Sequence, residues 1–307
     1  MTRLISRRQL VTSAAGAAAA VTSGLASDAS AKPKPQKSVM WTMLPASLPV
    51  TDRFQLAHTL GFAGVEIPPV GDRAECESMR SAAAAAGIRI QSVIYGGWDA
   101  PLSSPDAAVV QLGLKNAMAA MHTAAWVGAD DILLVPALVT DSVRYVDAWR
   151  RSIPNVRRLL DTAEKLNVMI LIEEVWNHFL LSPIEYTHYI DQFRHPLIQS
   201  YFDVGNVVIF GWPEDWIRTL GKRIRKVHLK DFKRSDYQFV PLWEGDVNWS
   251  AVGQAFAETG FTGFMNTELP GGDEAYLRDV SARVDRIIAQ VKLPPRLRQA
   301  ATGRPPA

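Results

Sequence analysis

Short runs of apolar and β-branched residues alternate with longer stretches of helical period along nearly the whole chain. The runs that read as strands are Val39–Met43, Gly64–Ile67, Ile88–Ile94, Asp131–Val135, Val168–Glu173, Ile198–Val204, Ile224–Leu229 and Gly263–Leu269. The helical stretches between them are Thr51–Leu60, Ala74–Ala86, Ala107–Val127, Val143–Leu166, Ile184–Phe193, Glu214–Leu220 and Trp249–Thr259, and Glu274–Val291 closes the series. Eight strand-plus-helix pairs over about 250 residues predict an α/β chain folded as a single (β/α)₈ TIM barrel. The junctions repeat. Leu60-Gly61-Phe62-Ala63-Gly64-Val65 and Thr259-Gly260-Phe261-Thr262-Gly263-Phe264 each place a glycine where a helix stops and a second one before a strand. Glycine past the last helical turn tolerates the left-handed backbone that returns the chain to the barrel. An open doubly wound sheet is the rival architecture, but no Gly-rich phosphate loop follows the first strand.

The two ends do not follow this pattern. Ser6-Arg7-Arg8-Gln9-Leu10-Val11 sets paired arginines before an Ala-rich apolar stretch, and Ala29-Ser30-Ala31 supplies small residues suited to cleavage. That order is an export signal, and the twin arginines specify the route that carries folded proteins, so a periplasmic or secreted location is expected. The predicted organisation is a signal over 1–31, a linker over 32–37, the barrel over 38–292 and a Pro/Arg-rich disordered tail over 293–307. No interior run is long and apolar enough to span a membrane beyond the signal. Cys76 is the one cysteine, which rules out an intrachain disulfide and is compatible with an oxidising compartment.

The net charge of +2 conceals an uneven distribution. Residues 1–31, 32–37 and 292–307 carry +2, +3 and +4, which leaves 38–291 at −7. An acidic core argues against a nucleic-acid partner, since phosphate-backbone affinity comes from clustered Lys and Arg.

In a parallel barrel the chemistry sits where strands end. The fifth predicted strand ends in Ile172-Glu173-Glu174, the sixth in Phe202-Asp203-Val204-Gly205-Asn206, the seventh carries Val227-His228-Leu229-Lys230-Asp231, and the eighth ends in Thr267-Glu268-Leu269. Three carboxylates converging on a dry barrel mouth repel one another unless a cation sits between them. With one histidine they form a hard, mostly oxygen donor set, for which Mn²⁺ is the expected single divalent ion and Mg²⁺, Co²⁺, Fe²⁺ or Zn²⁺ are alternatives. Strand alternation can aim only one of Glu173 and Glu174 inward, and Glu173 is favoured.

The Glu173, Asp203, His228, Glu268 set on four successive strands resembles the xylose isomerase-like TIM barrel superfamily, in particular its sugar phosphate isomerase/epimerase, hydroxypyruvate isomerase and ketose 3-epimerase branches. The resemblance spans roughly Val39 to Val291. It implies that these four residues hold the metal, with Glu173 and Glu268 as the acid–base pair. Arg234, six residues after His228, resembles the substrate-contacting arginine of the ketose 3-epimerases. Trp243-Glu244-Gly245-Asp246-Val247-Asn248-Trp249 resembles the family's G-E-G-x-x-x-W segment. Two positions depart from the epimerase pattern: Asn206 replaces a histidine and Phe179 replaces a second glutamate. Both argue against a free ketohexose as substrate.

The resulting expectation is a divalent-metal-dependent sugar isomerase or epimerase that removes a proton next to a carbonyl through an enediolate. Arg234, Asn206, Glu66, Trp176, Lys230 and Glu244 are the expected substrate contacts. Trp41, Tyr95, Trp98, Trp212 and Trp243 are further aromatics near loop mouths that could stack on a sugar. The alternatives are a metal-dependent lyase or hydrolase of 3-keto-glycosides and a non-catalytic exported sugar-binding barrel. A phosphodiesterase of endonuclease-four type would need many strand-end histidines, and His228 is the one histidine within a predicted strand. The expected partner is a small carbohydrate. A homo-oligomer is compatible with the sequence.

Overall fold

A computed structural model describes residues 34–292. The predicted export signal and the predicted tail lie outside the described residues. Among the described residues there are ten strands: β1 (Gln36–Met40), β2 (Gly64–Ile67), β3 (Arg89–Tyr95), β4 (Asp131–Leu134), β5 (Met169–Glu173), β6 (Ile198–Asp203), β7 (Ile224–Leu229), β8 (Asp231–Lys233), β9 (Gln238–Val240) and β10 (Phe264–Thr267). Eight of them close into a barrel in the order β1-β10-β7-β6-β5-β4-β3-β2, and every pair in it is parallel. The helices are α1 (Val50–Thr59), α2 (Arg73–Ala85), α3 (Ala107–Val127), α4 (Tyr145–Arg157), α5 (Leu160–Leu166), α6 (Pro183–Asp191), α7 (Pro213–Leu220), α8 (Trp249–Thr259) and α9 (Glu274–Ile288).

The helix boundaries follow local chemistry. Asp72, Asp106, Ser182, Asn248 and Asp273 each accept a hydrogen bond from a first-turn N–H, satisfying donors that have no partner within the helix. At the other end Gly260 caps α8 at φ +72°, as its place in the repeated junction requires.

Four features depart from the reading of the sequence. The predicted linker runs into the barrel, because β1 begins at Gln36 and pairs with Phe264. Two polar residues open this strand, and Lys37 is held by the Asp285 carboxylate at 2.7 Å and the Ser281 hydroxyl at 2.8 Å. Trp41–Met43, predicted as the end of that strand, is a 3₁₀ turn. Its apolar residues are there for burial, and the Arg53 guanidinium lies 3.7 Å from the Trp41 ring. The single predicted helix over 143–166 is two, α4 and α5. Arg158 and Leu159 take i→i−3 bonds at this break, which rephases the helix so that Val156, Leu159 and Ala163 all reach the core. Finally, β8 and β9 form an antiparallel hairpin over the barrel's carboxyl end that the sequence did not announce.

The barrel interior is unusually polar. Such interiors are ordinarily filled by branched apolar side chains, yet Ser38, Glu66, Gln91, Ser92, Asp131, Tyr201, Lys226, His228 and Asn266 are all buried. Lys226 pairs with Asp131 at 2.6 Å and donates to the Gln91 carbonyl, and Ser92 donates to Asp131 at 2.7 Å.

Candidate metal centre and its pocket

His228 organises the site. On β7 it stands beside Asp203 of β6 and Asn266 of β10 in register. Its Nδ1 lies 2.7 Å from Glu173 Oε1 and 2.9 Å from Glu268 Oε2. Its Nε2 lies 2.7 Å from Glu66 Oε2, and its ring packs on Tyr201 with centroids 4.4 Å apart. One donor atom each from Glu173, Asp203, His228 and Glu268 fall within 4.8 Å of one another. Asp203 Oδ2 and Glu268 Oε2 are buried without a well-aligned hydrogen-bond donor. The Lys230 ammonium, 3.1 and 2.7 Å away, is what offsets them. Converging, under-satisfied carboxylate oxygens with one imidazole nitrogen fit a hard divalent cation.

The loop after β6 completes the arrangement. Asp203 Oδ1 accepts from Gly205 N at 2.7 Å and Asn206 N at 2.9 Å, which fixes one carboxylate oxygen and leaves the other facing the cluster. This turn passes so close to β7 that a Cβ on residue 205 would lie 2.4 Å from the Lys230 Cβ, so only glycine fits. The open choice between Glu173 and Glu174 has a geometric answer. Glu173 reaches His228, whereas Glu174 turns aside and accepts the Asp203 backbone N–H at 2.8 Å.

Electrostatics separates the two acidic groups beside His228 Nδ1. Burial raises the Glu173 carboxyl to about 7 against the pull of His228. Burial also acts on Glu268, but His228 and Lys230 outweigh it and hold this carboxyl well below its ordinary range. Burial disfavours a charged His228, yet Glu268, Glu66 and Glu173 together keep its proton on well above the usual imidazole value. Lys230 is likewise held charged, against burial, by Asp203 and Glu268. Glu174 is pushed far upward, first by burial and then by Glu173 and Asp203.

A cavity of about 380 Å³ opens onto this cluster, lined by Glu173, Glu268, Asn206 and Lys230 and walled by Trp98, Trp176 and Phe239 together with smaller apolar residues of β3, of β4 and of the segments that follow β4 and β5. Trp176 donates through Nε1 to the Asn206 carbonyl at 3.0 Å, which sets its ring. Of the expected substrate contacts, Asn206, Trp176 and Lys230 line this cavity. Glu66 is corrected: it is fully buried beneath His228 and does not reach the cavity. Arg234 and Glu244 are also absent from its lining among the described residues. The Arg234 guanidinium donates to the carbonyls of Val208 at 2.9 Å and Gly211 at 2.8 Å, and Glu244 pairs with Arg283 at 2.7 Å. The hairpin after His228 accounts for Arg234, since its turn sets residue 234 against the loop after β6. Trp41 and Trp243 pack elsewhere, on Phe54 and Trp249. Phe239 was missed because it belongs to that hairpin. So was Asp231, which ties the hairpin to the following loop by accepting from Trp243 N at 2.9 Å and Trp249 Nε1 at 3.0 Å.

Comparison with known proteins now decides the family. The model described as xylose isomerase-like TIM barrel matches residues 54–287. The chain belongs to that family. Within it, this xylose isomerase-like barrel is 28% identical to the L-ribulose-5-phosphate 3-epimerase UlaE of Escherichia coli, over 78% of this chain and 92% of that one. In structure it is similar to D-psicose 3-epimerase from Clostridium cellulolyticum H10, with a TM-score of 0.71 and 17% identity over 84% of this chain and 99% of that one. It is similar also to the 3-keto-D-glucoside 4-epimerase YcjR from E. coli, with a TM-score of 0.71 and 15% identity over 83% of this chain and all of that one.

Proposed function

We propose that this xylose isomerase-like barrel is a divalent-metal-dependent enzyme that moves a proton at the carbon next to a carbonyl of an unphosphorylated sugar. The observation that supports this most is the joint presence of Glu173 and Glu268 in the candidate metal cluster and in the wall of one cavity. Glu173, Asp203, His228 and Glu268 would hold the metal, with Mn²⁺ the expected ion. When bound it would supply a Lewis acid that polarises a carbonyl and acidifies the adjacent C–H. The chain's own groups supply the rest. Glu268 and Glu173, which both face the cavity, are placed to accept a proton and to return one. Asn206 and Lys230 orient substrate oxygens, and the Trp98, Trp176 and Phe239 rings cover a sugar face and keep water out.

The absence of a free cation in the cavity lining favours a neutral substrate. Lys230 is the one basic residue among the described lining residues, and it is engaged by Asp203 and Glu268. A phosphate dianion there would face two carboxylates without compensation. UlaE, by its name, acts on a phosphorylated pentulose; the chemistry proposed here is the same kind of proton transfer on an unphosphorylated compound. Export by the twin-arginine route, to which residues 1–31 point, would put the enzyme where such sugars are met.

A second reading has its own support. Trp98 and Phe239, both in the cavity lining, are 48% and 43% exposed and offer an apolar surface at the rim. A 3-keto-glycoside could rest its aglycone there, and proton removal next to the ketone would then expel it by β-elimination. One NMR experiment in D₂O on the Mn²⁺-loaded protein separates these readings. Deuterium uptake at the carbon next to the carbonyl of the free ketopentoses L-ribulose or L-xylulose, exceeding uptake into L-ribulose 5-phosphate, is expected for the epimerase. Phenol release from a phenyl 3-keto-glucoside, without uptake into either ketose, would mark the lyase. Preference for the phosphate ester would overturn the neutral-substrate reading.

A further inference from the structure

Glu66 has no place in the reaction as described, yet it is among the most constrained charged groups in the molecule. It is fully buried on β2 and reaches across the barrel interior to β7 and β10. Its Oε2 accepts from His228 Nε2 at 2.7 Å and from Asn266 Nδ2 at 2.7 Å. Asn266 is the in-register neighbour of His228, so the strand that flanks the histidine also aims the carboxylate that holds it. The Tyr201 ring, 4.4 Å from the imidazole, limits its rotation.

From this geometry we infer that Glu66 is a positioning residue that sets the tautomer, orientation and donor strength of His228 as a metal ligand. The inference rests on the reading of Glu173, Asp203, His228 and Glu268 as the metal-holding set. A histidine that ligates a metal gives up one proton and carries one N–H. With Nε2 donating to a carboxylate, that proton stays on Nε2 and the Nδ1 lone pair points into the Glu173–Glu268 side of the ring. The buried negative charge behind the ring also makes Nδ1 a stronger donor, and removing such outer partners typically weakens metal binding by about 10- to 100-fold. The Asn266 amide donates to the same Oε2 and keeps the carboxylate from swinging away.

The test is Mn²⁺ affinity, read by electron paramagnetic resonance of free Mn²⁺ during titration of the purified protein, alongside thermal melts of the metal-free forms. Glu66→Gln keeps the side chain's size and an acceptor oxygen but removes the charge. It is expected to raise the Mn²⁺ Kd by about 10- to 100-fold. Asn266→Ser leaves the carboxylate in place but frees it, and is expected to raise Kd by about tenfold, which keeps the inference testable should Glu66→Gln fail to fold. A purely structural Glu66 would instead lower the melting temperature of metal-free protein and leave the Kd of the folded variant unchanged, and that result would overturn the inference alone. Wild-type protein that binds no Mn²⁺ would overturn the ligand set and the inference with it.

Discussion

Glu268→Gln, measured with the metal saturating, should slow exchange of the substrate C–H with solvent by about 10²- to 10⁴-fold, the usual contribution of a positioned base. The substitution is nearly isosteric, and the amide oxygen still offers a donor to a metal. The losses are specific: the proton acceptor is gone, and Lys230 loses the carboxylate oxygen 2.7 Å from its ammonium. In the protein as it stands His228 and Lys230 hold Glu268 ionised well below the ordinary carboxylate range. It is therefore ready to take a proton at neutral pH without first shedding one. The measurement is deuterium incorporation by NMR at several Mn²⁺ concentrations, so that a weakened metal site shows as a concentration dependence and lost chemistry does not. Unchanged exchange at saturating metal would remove Glu268 from the reaction.

The second large effect lies at the opposite end of the barrel interior. Lys226→Met should cost about 3–5 kcal/mol of folding stability, or roughly 10 °C in melting temperature. Lys226 and Asp131 form a pair 2.6 Å apart in which the carboxylate is wholly buried. Removing the ammonium leaves an uncompensated charge, whereas removing both charges does not. Lys226→Met combined with Asp131→Asn should therefore recover much of the loss. The pH dependence has a definite sign. Burial already raises the Asp131 carboxyl above its ordinary value despite Lys226. A folded-state value above the unfolded one means the native state binds more protons, so stability falls as pH rises from the unfolded toward the folded value. Without Lys226 the folded value rises further. The deficit of Lys226→Met should thus shrink on moving from pH 8 to pH 5, as followed by circular dichroism melts. A deficit independent of pH would place the cost in packing and not in the buried charge.

Much of the fold was legible because strand and helix periods alternate cleanly and glycines such as Gly260 mark where helices stop. The four cluster residues were legible for a related reason. Each stands at or near a strand's carboxyl end, and in a parallel barrel those positions converge whatever the intervening loops do. What escaped depended on direction and not on position. Glu66 ends a strand like the others, but the register of β2 carries its side chain beneath His228 instead of into the cavity. Arg234 and Glu244 were placed by spacing from His228 and by a motif, and neither accounts for the β8–β9 hairpin that redirects the chain between them. That hairpin is three residues a side and rich in polar residues, so its alternation is too short to register. Phe239 went unnoticed for the same reason. The polar barrel interior was also hidden, since the strand pattern does not single out Gln91, Asp131 and Lys226, which the closed sheet turns toward one another.

The most direct test of the account is elemental analysis of the purified protein beside His228→Ala and Asp203→Asn. After incubation with Mn²⁺ and removal of the excess, the account expects about one divalent ion per chain, the content of a single four-donor site. Both variants should lose most of it while keeping a native circular dichroism spectrum. Wild-type protein that retains no ion after incubation with Mn²⁺, Co²⁺ or Zn²⁺, or variants that retain as much as wild type, would contradict it.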